Sequence, residues 1–223
     1  IPNLIVVTGS TGSGKTALLH TLGHAYLDLE AAANHRGSVF GAFHNQSQPS
    51  QATFENALAI QIARQKNHST ILFVEDESRM IGACSTPGPL VTRMRTAPVI
   101  EVESSLEERT QRIFQEYIAI PLTDGISLDA LQNQALNGIK SLKRRLDSTA
   151  SEIFEQAQKA FHQGADLRDH HDWIAALLTH YYDKRYRYAC TKLERKPAFK
   201  GNFVSCLEWA QQNIAPELLR RLG

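Results

Sequence analysis

The chain has 223 residues, 42% of them hydrophobic, and a formal net charge of +1. That length supports one sizeable core with a helical extension, and the near-neutral balance excludes a global pull toward nucleic acid or membrane. Cys84, Cys190 and Cys206 show neither paired nor metal-ligand spacing; so sparse and odd a set suits a reducing, cytoplasmic setting, and no apolar run approaches the ~18 residues of a membrane span.

The first predicted strand, Leu4–Thr8, runs directly into Gly9-Ser10-Thr11-Gly12-Ser13-Gly14-Lys15-Thr16 and then into a helix over Thr16–His24. No signal peptide is visible, and so abrupt a start is expected of a fragment or a trimmed chain. The octet fits G-x-x-x-x-G-K-[ST] in full, between a strand and a helix. Glycines let successive backbone N–H groups converge on one anion, and the helix N-terminus adds a favourable dipole. Lys15 supplies charge for outer phosphate oxygens, and Thr16 offers a hydroxyl to Mg²⁺. The chain is therefore expected to bind a phosphate-bearing ligand along Gly9–Thr16.

Strand two is predicted at Ala25–Leu29 and a helix at Phe54–Gln65. The apolar run Ile71–Val74, ending in Glu75-Asp76-Glu77, has the form of a buried parallel strand opening on a site. Thr86–Pro89 reads as a turn, and Pro98–Val102 as a fourth strand. This alternation predicts an α/β fold of the P-loop NTPase type, a parallel sheet flanked by helices, with ligands at the strands' carboxyl ends. After Ser104 the pattern is helical over Leu106–Ile120, Leu128–Gln163, Trp173–Lys192 and Phe203–Leu222. The expected division is a P-loop core at 1–104 and a helical region at 105–223, partly packed on the core and partly an RNA-binding extension.

Glu75, Asp76 and Glu77 stand where such proteins keep the acid that holds Mg²⁺; Glu75, directly after the strand, is the first choice and Asp76 the second. In the polar loop Asn34–Ser38, Arg36 is suited to fork onto phosphate or carboxylate oxygens. Arg79, Arg93 and Arg95 are further candidates to neutralise a diphosphate, or ordinary surface charges. Between 184 and 200, seven basic residues face one acid, interleaved with tyrosines. That mixture suits a nucleic-acid backbone with stacked bases, although tyrosines more often build helix cores. His170 and His171 look like metal ligands, but adjacent histidines rarely share an ion, and Asp172 reads as a helix N-cap.

Four motifs go beyond a generic phosphate loop. They are Leu27-Asp28-Leu29-Glu30 with Ala33-Asn34-His35-Arg36-Gly37-Ser38-x-Phe40-Gly41; Gln48-Pro49-Ser50-Gln51-Ala52-x-Phe54-Glu55-Asn56; Glu75-Asp76-Glu77-Ser78-Arg79-x-Ile81-Gly82; and Tyr181-Tyr182-Asp183-x-x-Tyr186. Together they resemble tRNA 2-selenouridine synthases over about residues 4 to 190. The resemblance implies a transferase that replaces the sulfur of wobble 2-thiouridine with selenium through an S-geranylated intermediate. Geranyl diphosphate and selenophosphate would be co-substrates, with Mg²⁺, ATP and GTP left open as further ligands. It also implies a rhodanese-like domain with an essential cysteine, in cis or as a separate chain. None of the three cysteines here sits in such a loop, so this chain alone would be an incomplete enzyme. Lys15, Arg36, Glu75, Asp76 and Arg79 are the expected catalytic residues, Thr16 and Glu75 the metal ligands. Arg185, Arg187, Lys192, Arg195 and Lys196 are expected to contact tRNA. The competing readings are a small-molecule kinase or NTPase, and a nucleotide-gated tRNA-binding module.

Overall fold

Alternating apolar residues on the first strand already require two covered faces. In the computed structural model, which describes residues 3–23, 26–41, 47–65, 71–193 and 195–222, Leu4 and Val6 point into one core and Ile5 and Val7 into another. In chain order the elements begin with β1 (Asn3–Thr8), α1 (Lys15–Thr21), β2 (Tyr26–Leu27), α2 (Leu29–Ala33), α3 (Gln51–Gln65) and β3 (Ile71–Glu75). A small hairpin follows, β4 (Met80–Ile81) with β5 (Cys84–Ser85), then α4 (Gly88–Thr96) and β6 (Val99–Val102). The helical stretch comprises α5 (Leu106–Phe114), α6 (Ile120–Thr123), α7 (Leu128–Ser141), α8 (Lys143–Leu146), α9 (Thr149–Gln163), α10 (Leu167–Leu177) and α11 (Asp183–Leu193). Wide π-type turns occupy Gln115–Ala119 and Leu178–Tyr182. The chain closes with β7 (Phe199–Gly201) and α12 (Phe203–Leu222).

Two compact units result: residues 1–9, 14–103 and 193–223, and residues 10–13 with 104–192. The first is a five-stranded sheet in the order β2-β3-β1-β6-β7, parallel throughout. One face carries Leu72, Val74 and Val99 against Leu29, Phe54, Leu58, Leu90 and Met94 of α2, α3 and α4. The other carries Phe73, Ile100 and Val102 against Leu18 and Leu19 of α1 and Cys206 and Ala210 of α12. This bears out the expected P-loop α/β class. The register pairs Val7 with Glu75, so the β3 acids stand level with the end of β1.

Several boundaries differ from the sequence expectation, each for a local reason. Residues 193–223, expected in the helical region, return to the sheet: β7 adds to β6 and α12 covers one face. Strand two, whose expected first residue Ala25 lies outside the described residues, ends at Leu27, because the Asp28 carboxylate accepts from Ala31 N (2.8 Å) and caps α2. The turn at Pro87–Pro89 instead opens α4, with proline in its first turn. The pattern over 128–163 breaks at Asp147, whose φ is +50°. Asp172 lies inside α10, which Asp166 caps through Arg168 N (2.9 Å).

In the helical unit α7 packs on α9, α9 on α10 and α10 on α5. Leu131, Ile139, Ile153, Phe161, Trp173 and Ile174 are among its buried residues. His170 is buried there as a structural residue: its ring bonds Gly164 O (3.0 Å) and accepts from the Trp173 indole (3.1 Å). No helix among the described residues is long and apolar enough to cross a membrane.

Candidate functional site

The phosphate loop begins as β1 ends. Gly9, Gly12 and Gly14 all have positive φ (148°, 78° and 96°), backbone that a residue with a Cβ adopts only under strain. Gly14 caps α1 without a side-chain bond, which leaves the helix's first N–H groups available to an anion. Lys15 Nζ lies 3.1 Å from Gly9 O, so its ammonium folds back over the loop.

In the sheet unit, Thr16 Oγ1 donates to Glu75 Oε2 at 3.1 Å. Glu75 is 1% exposed, and its second oxygen, Oε1, has no hydrogen-bond partner among the described residues. Glu30 from α2 and Glu77 beyond β3 each bring a carboxylate oxygen to the same place; one oxygen from each of Glu30, Glu75 and Glu77 lies within 4.8 Å of the others. Gly37, with φ of 61°, runs against this trio, and a Cβ there would fall 2.6 Å from Glu77 Oε2 and 2.9 Å from Glu30 Oε1.

Three carboxylates so close cannot all ionise without a compensating cation. Desolvation, aided by the neighbouring Glu75 and Glu77, pushes Glu30 up to about 10, while Lys15 pulls the other way. Burial pushes Glu75 up to about 8, with Glu77 adding to it and Lys15 and Thr16 opposing. Glu77 is also raised, mainly by desolvation. The all-oxygen donor set suits a hard divalent cation: Glu30, Glu75 and Glu77 would supply carboxylates and Thr16 a hydroxyl, and the orphaned Glu75 Oε1 would gain a partner.

Asp76 is engaged elsewhere. It accepts from Thr8 Oγ1 (2.9 Å) and pairs with Arg195 Nη1 (3.3 Å), and its backbone N–H donates to Val7 O (2.9 Å). Arg195, grouped by sequence with the tRNA contacts, thus stands half-buried beside the acid cluster. Arg36 is half-buried in the loop that Gly41 closes by accepting from Arg36 N (2.9 Å). Arg79 is exposed, just before the β4–β5 hairpin. Arg93 lines a cleft with Asn3, Ile71 and Pro98 at the amino ends of the strands. Arg95 shares the last turn of α4, just before β6 starts; neither stands at the carboxyl edge where the site lies.

Within the helical unit, the loop residues Thr11 and Gly12 have anchors that sequence reading missed. Arg109 is 6% exposed; its Nε donates to Thr11 O (2.9 Å) while Nη2 and Nη1 bond Asp183 Oδ1 and Oδ2 (2.6 and 3.2 Å). Arg112 donates to Gly12 O. Asp183 carried a signal, since it belongs to the Tyr181-Tyr182-Asp183-x-x-Tyr186 motif. Its partner lies 74 positions away, where no local pattern reaches. Arg185, Arg187 and Lys192 lie exposed on α11, and Lys196 is exposed beyond it.

The profile of the family described as "tRNA 2-selenouridine synthase AAA domain" matches residues 2–216. Among curated relatives, tRNA 2-selenouridine synthase of Psychromonas ingrahamii is 35% identical over 94% of this chain and 60% of its own length. The proteins of that name from Shewanella denitrificans and Aeromonas salmonicida are 36% and 37% identical, again over 94% of this chain and 60% of theirs. The chain therefore spans about 60% of the curated relatives it matches. With phosphate loop, acid cluster and late tyrosine motif all inside the matched span, the chain belongs to the tRNA 2-selenouridine synthase family through its AAA domain.

Proposed function

We propose that this chain is the phosphate-handling part of an enzyme that converts wobble 2-thiouridine of tRNA to 2-selenouridine, and that its loop takes the diphosphate of geranyl diphosphate. The observation that carries this reading is Lys15 and Thr16 beside three glutamates, within a chain matched almost end to end by the family. A diphosphate cannot approach three ionised carboxylates unaided. Lys15 and the loop N–H groups would bind its oxygens, and Glu30, Glu75, Glu77 and Thr16 would hold Mg²⁺. Such an ion, when bound, offsets the charge that grows on the departing diphosphate.

In the first reaction a C–S bond forms between the prenyl carbon and the 2-thio group, and the C–O bond to diphosphate breaks. Selenium of selenophosphate then forms a bond to C2 as the C–S bond breaks and geranylthiol leaves, and water cleaves the Se–P bond to release inorganic phosphate and leave 2-selenouridine. Lys15 acts on the first step by stabilising the leaving group, with Arg36 as a second donor. A rhodanese-like domain is the expected partner for the remainder, consistent with relatives longer than this chain. Full-length enzyme incubated with 2-thiouridine tRNA and geranyl diphosphate should yield S-geranyl tRNA by mass spectrometry, and Lys15→Ala should abolish it. Phosphate release from ATP or GTP without tRNA, and no geranylated product, would favour a kinase or NTPase instead.

A further inference from the structure

Away from the phosphate loop, the helical unit gathers positive charge around one buried tyrosine. Tyr181 is 3% exposed, yet its hydroxyl accepts from Arg145 Nη1 at 3.1 Å and from Arg185 Nη1 at 2.6 Å. The Arg185 guanidinium also lies 5.5 Å from the centre of the Tyr181 ring. With His180 and Lys184 these residues line an open cavity of about 380 Å³. Arg145 comes from α8 and the others from the π turn and α11, so the fold brings the charges together over 36 positions of sequence.

Two guanidiniums on one oxygen repel each other, and Lys184 adds a third charge. Nothing among the described residues relieves this. Among the described residues no carboxylate lies within 4.0 Å of Arg145, Lys184 or Arg185; Asp147, two positions from Arg145, is exposed and forms no ion pair with it, and Asp183, beside Lys184, is taken up by Arg109 at 2.6 Å. Each guanidinium makes one hydrogen bond to a described residue, to the Tyr181 hydroxyl, out of five N–H donors. Such a set is complementary to a phosphate, whose oxygens take forked N–H pairs.

The surroundings favour a phosphate in a chain over a free one. At about 100° per residue, Arg185, Tyr188 and Lys192 fall on one stripe of α11, whereas Arg187 points about 160° away. Tyr188 is 69% exposed, an aromatic face open to a base. From Tyr181 to Lys192 the stripe extends roughly 16 Å, longer than one small anion needs.

We propose that Arg145, Lys184 and Arg185, arranged by Tyr181, form a backbone-phosphate subsite for the RNA substrate, continued along α11 by Tyr188 and Lys192. The proposal rests on the tRNA-modifying reading above and adds to it a place on the helical unit, with Arg145 as a member that the basic run at 184–200 does not contain.

The test is binding of 2-thiouridine tRNA to the chain, by fluorescence anisotropy over a series of KCl concentrations. Arg145→Ala/Arg185→Ala should lower affinity about tenfold or more. It should also make the slope of log K against log salt shallower by about 0.7–0.9 for each phosphate lost. Affinity for geranyl diphosphate should stay at the parental value, and Lys159→Ala, which removes an exposed charge on α9, should bind tRNA like the parent. Should the double variant fail to fold, Tyr181→Phe carries the test: it keeps every charge, releases both guanidiniums, and should weaken tRNA binding severalfold. Parental affinity and salt slope in these variants would overturn the subsite and leave the functional reading standing. Loss of inorganic phosphate binding with unchanged tRNA binding would overturn the RNA assignment. A parent chain that binds no tRNA would overturn the functional reading itself, and the subsite with it.

Discussion

Replacing Asp183 with alanine should damage the protein far more than loss of a surface acid. Its partner Arg109 is 6% exposed and held by two bonds, 2.6 and 3.2 Å long. Without Asp183 that guanidinium stays buried with only the Thr11 carbonyl, 2.9 Å from Nε. Stranding a buried charge costs about 3–5 kcal/mol, whereas an exposed pair contributes about 0–1 kcal/mol. The Thr11 contact survives and Asp183 keeps 17% side-chain exposure, so the lower end, about 3 kcal/mol, is expected. Urea unfolding followed by far-UV circular dichroism should show the midpoint falling accordingly. Asp183→Leu/Arg109→Met should recover much of the loss, because it removes both charges. A variant within about 0.5 kcal/mol of the parent would refute the reasoning, since that is the scatter of neutral surface changes.

Lys15→Ala should keep the fold, since no buried apolar contact of either core involves Lys15, and lose about 2–4 kcal/mol of diphosphate affinity by calorimetry. Stability of the metal-free protein should fall as pH rises. Glu75 and Glu30 ionise near 4.5 when unfolded but only at about 8 and about 10 when folded, so between these values the folded state binds more protons and loses stability. Thermal melts should show the decline from about pH 5 upward, Mg²⁺ should offset it, and Glu75→Gln should flatten it; a pH-independent melting temperature in metal-free buffer would contradict the trio. Gly37→Ala should cost about 1–2 kcal/mol from its left-handed backbone alone, and more against the Glu77 and Glu30 oxygens; unaltered Mg²⁺ affinity in this variant would show that the approach is not tight.

The phosphate loop was legible because strand, glycines, Lys15 and Thr16 are contiguous, and each strand of the sheet except β7 announced itself as a short apolar run. β7 did not, because Phe199-Lys200-Gly201 is a three-residue edge strand with neither alternation nor apolar length. The acid after β3 was legible as a place, but its division of labour was not. Thr16 selects Glu75, whereas Thr8 and Arg195 occupy Asp76, and those choices depend on contacts 59 to 119 positions apart. Glu30 joins Glu75 and Glu77 only because α2 starts where Asp28 caps it. The basic run at 184–200 reads as one patch but folds as three: Arg185 faces the Tyr181 cavity, Arg195 pairs with Asp76, and Lys200 pairs with Glu101 (3.3 Å) and Glu103 (3.1 Å). Charge counts cannot separate residues that a helix end and a returning strand send to different places.

The most direct test of the central claim is a calorimetric titration of the chain with geranyl diphosphate, ATP and GTP, each with and without Mg²⁺. Geranyl diphosphate should bind in the presence of Mg²⁺, weaken when the metal is removed, and lose its affinity in Lys15→Ala. Micromolar binding of ATP or GTP that geranyl diphosphate fails to displace would contradict the account.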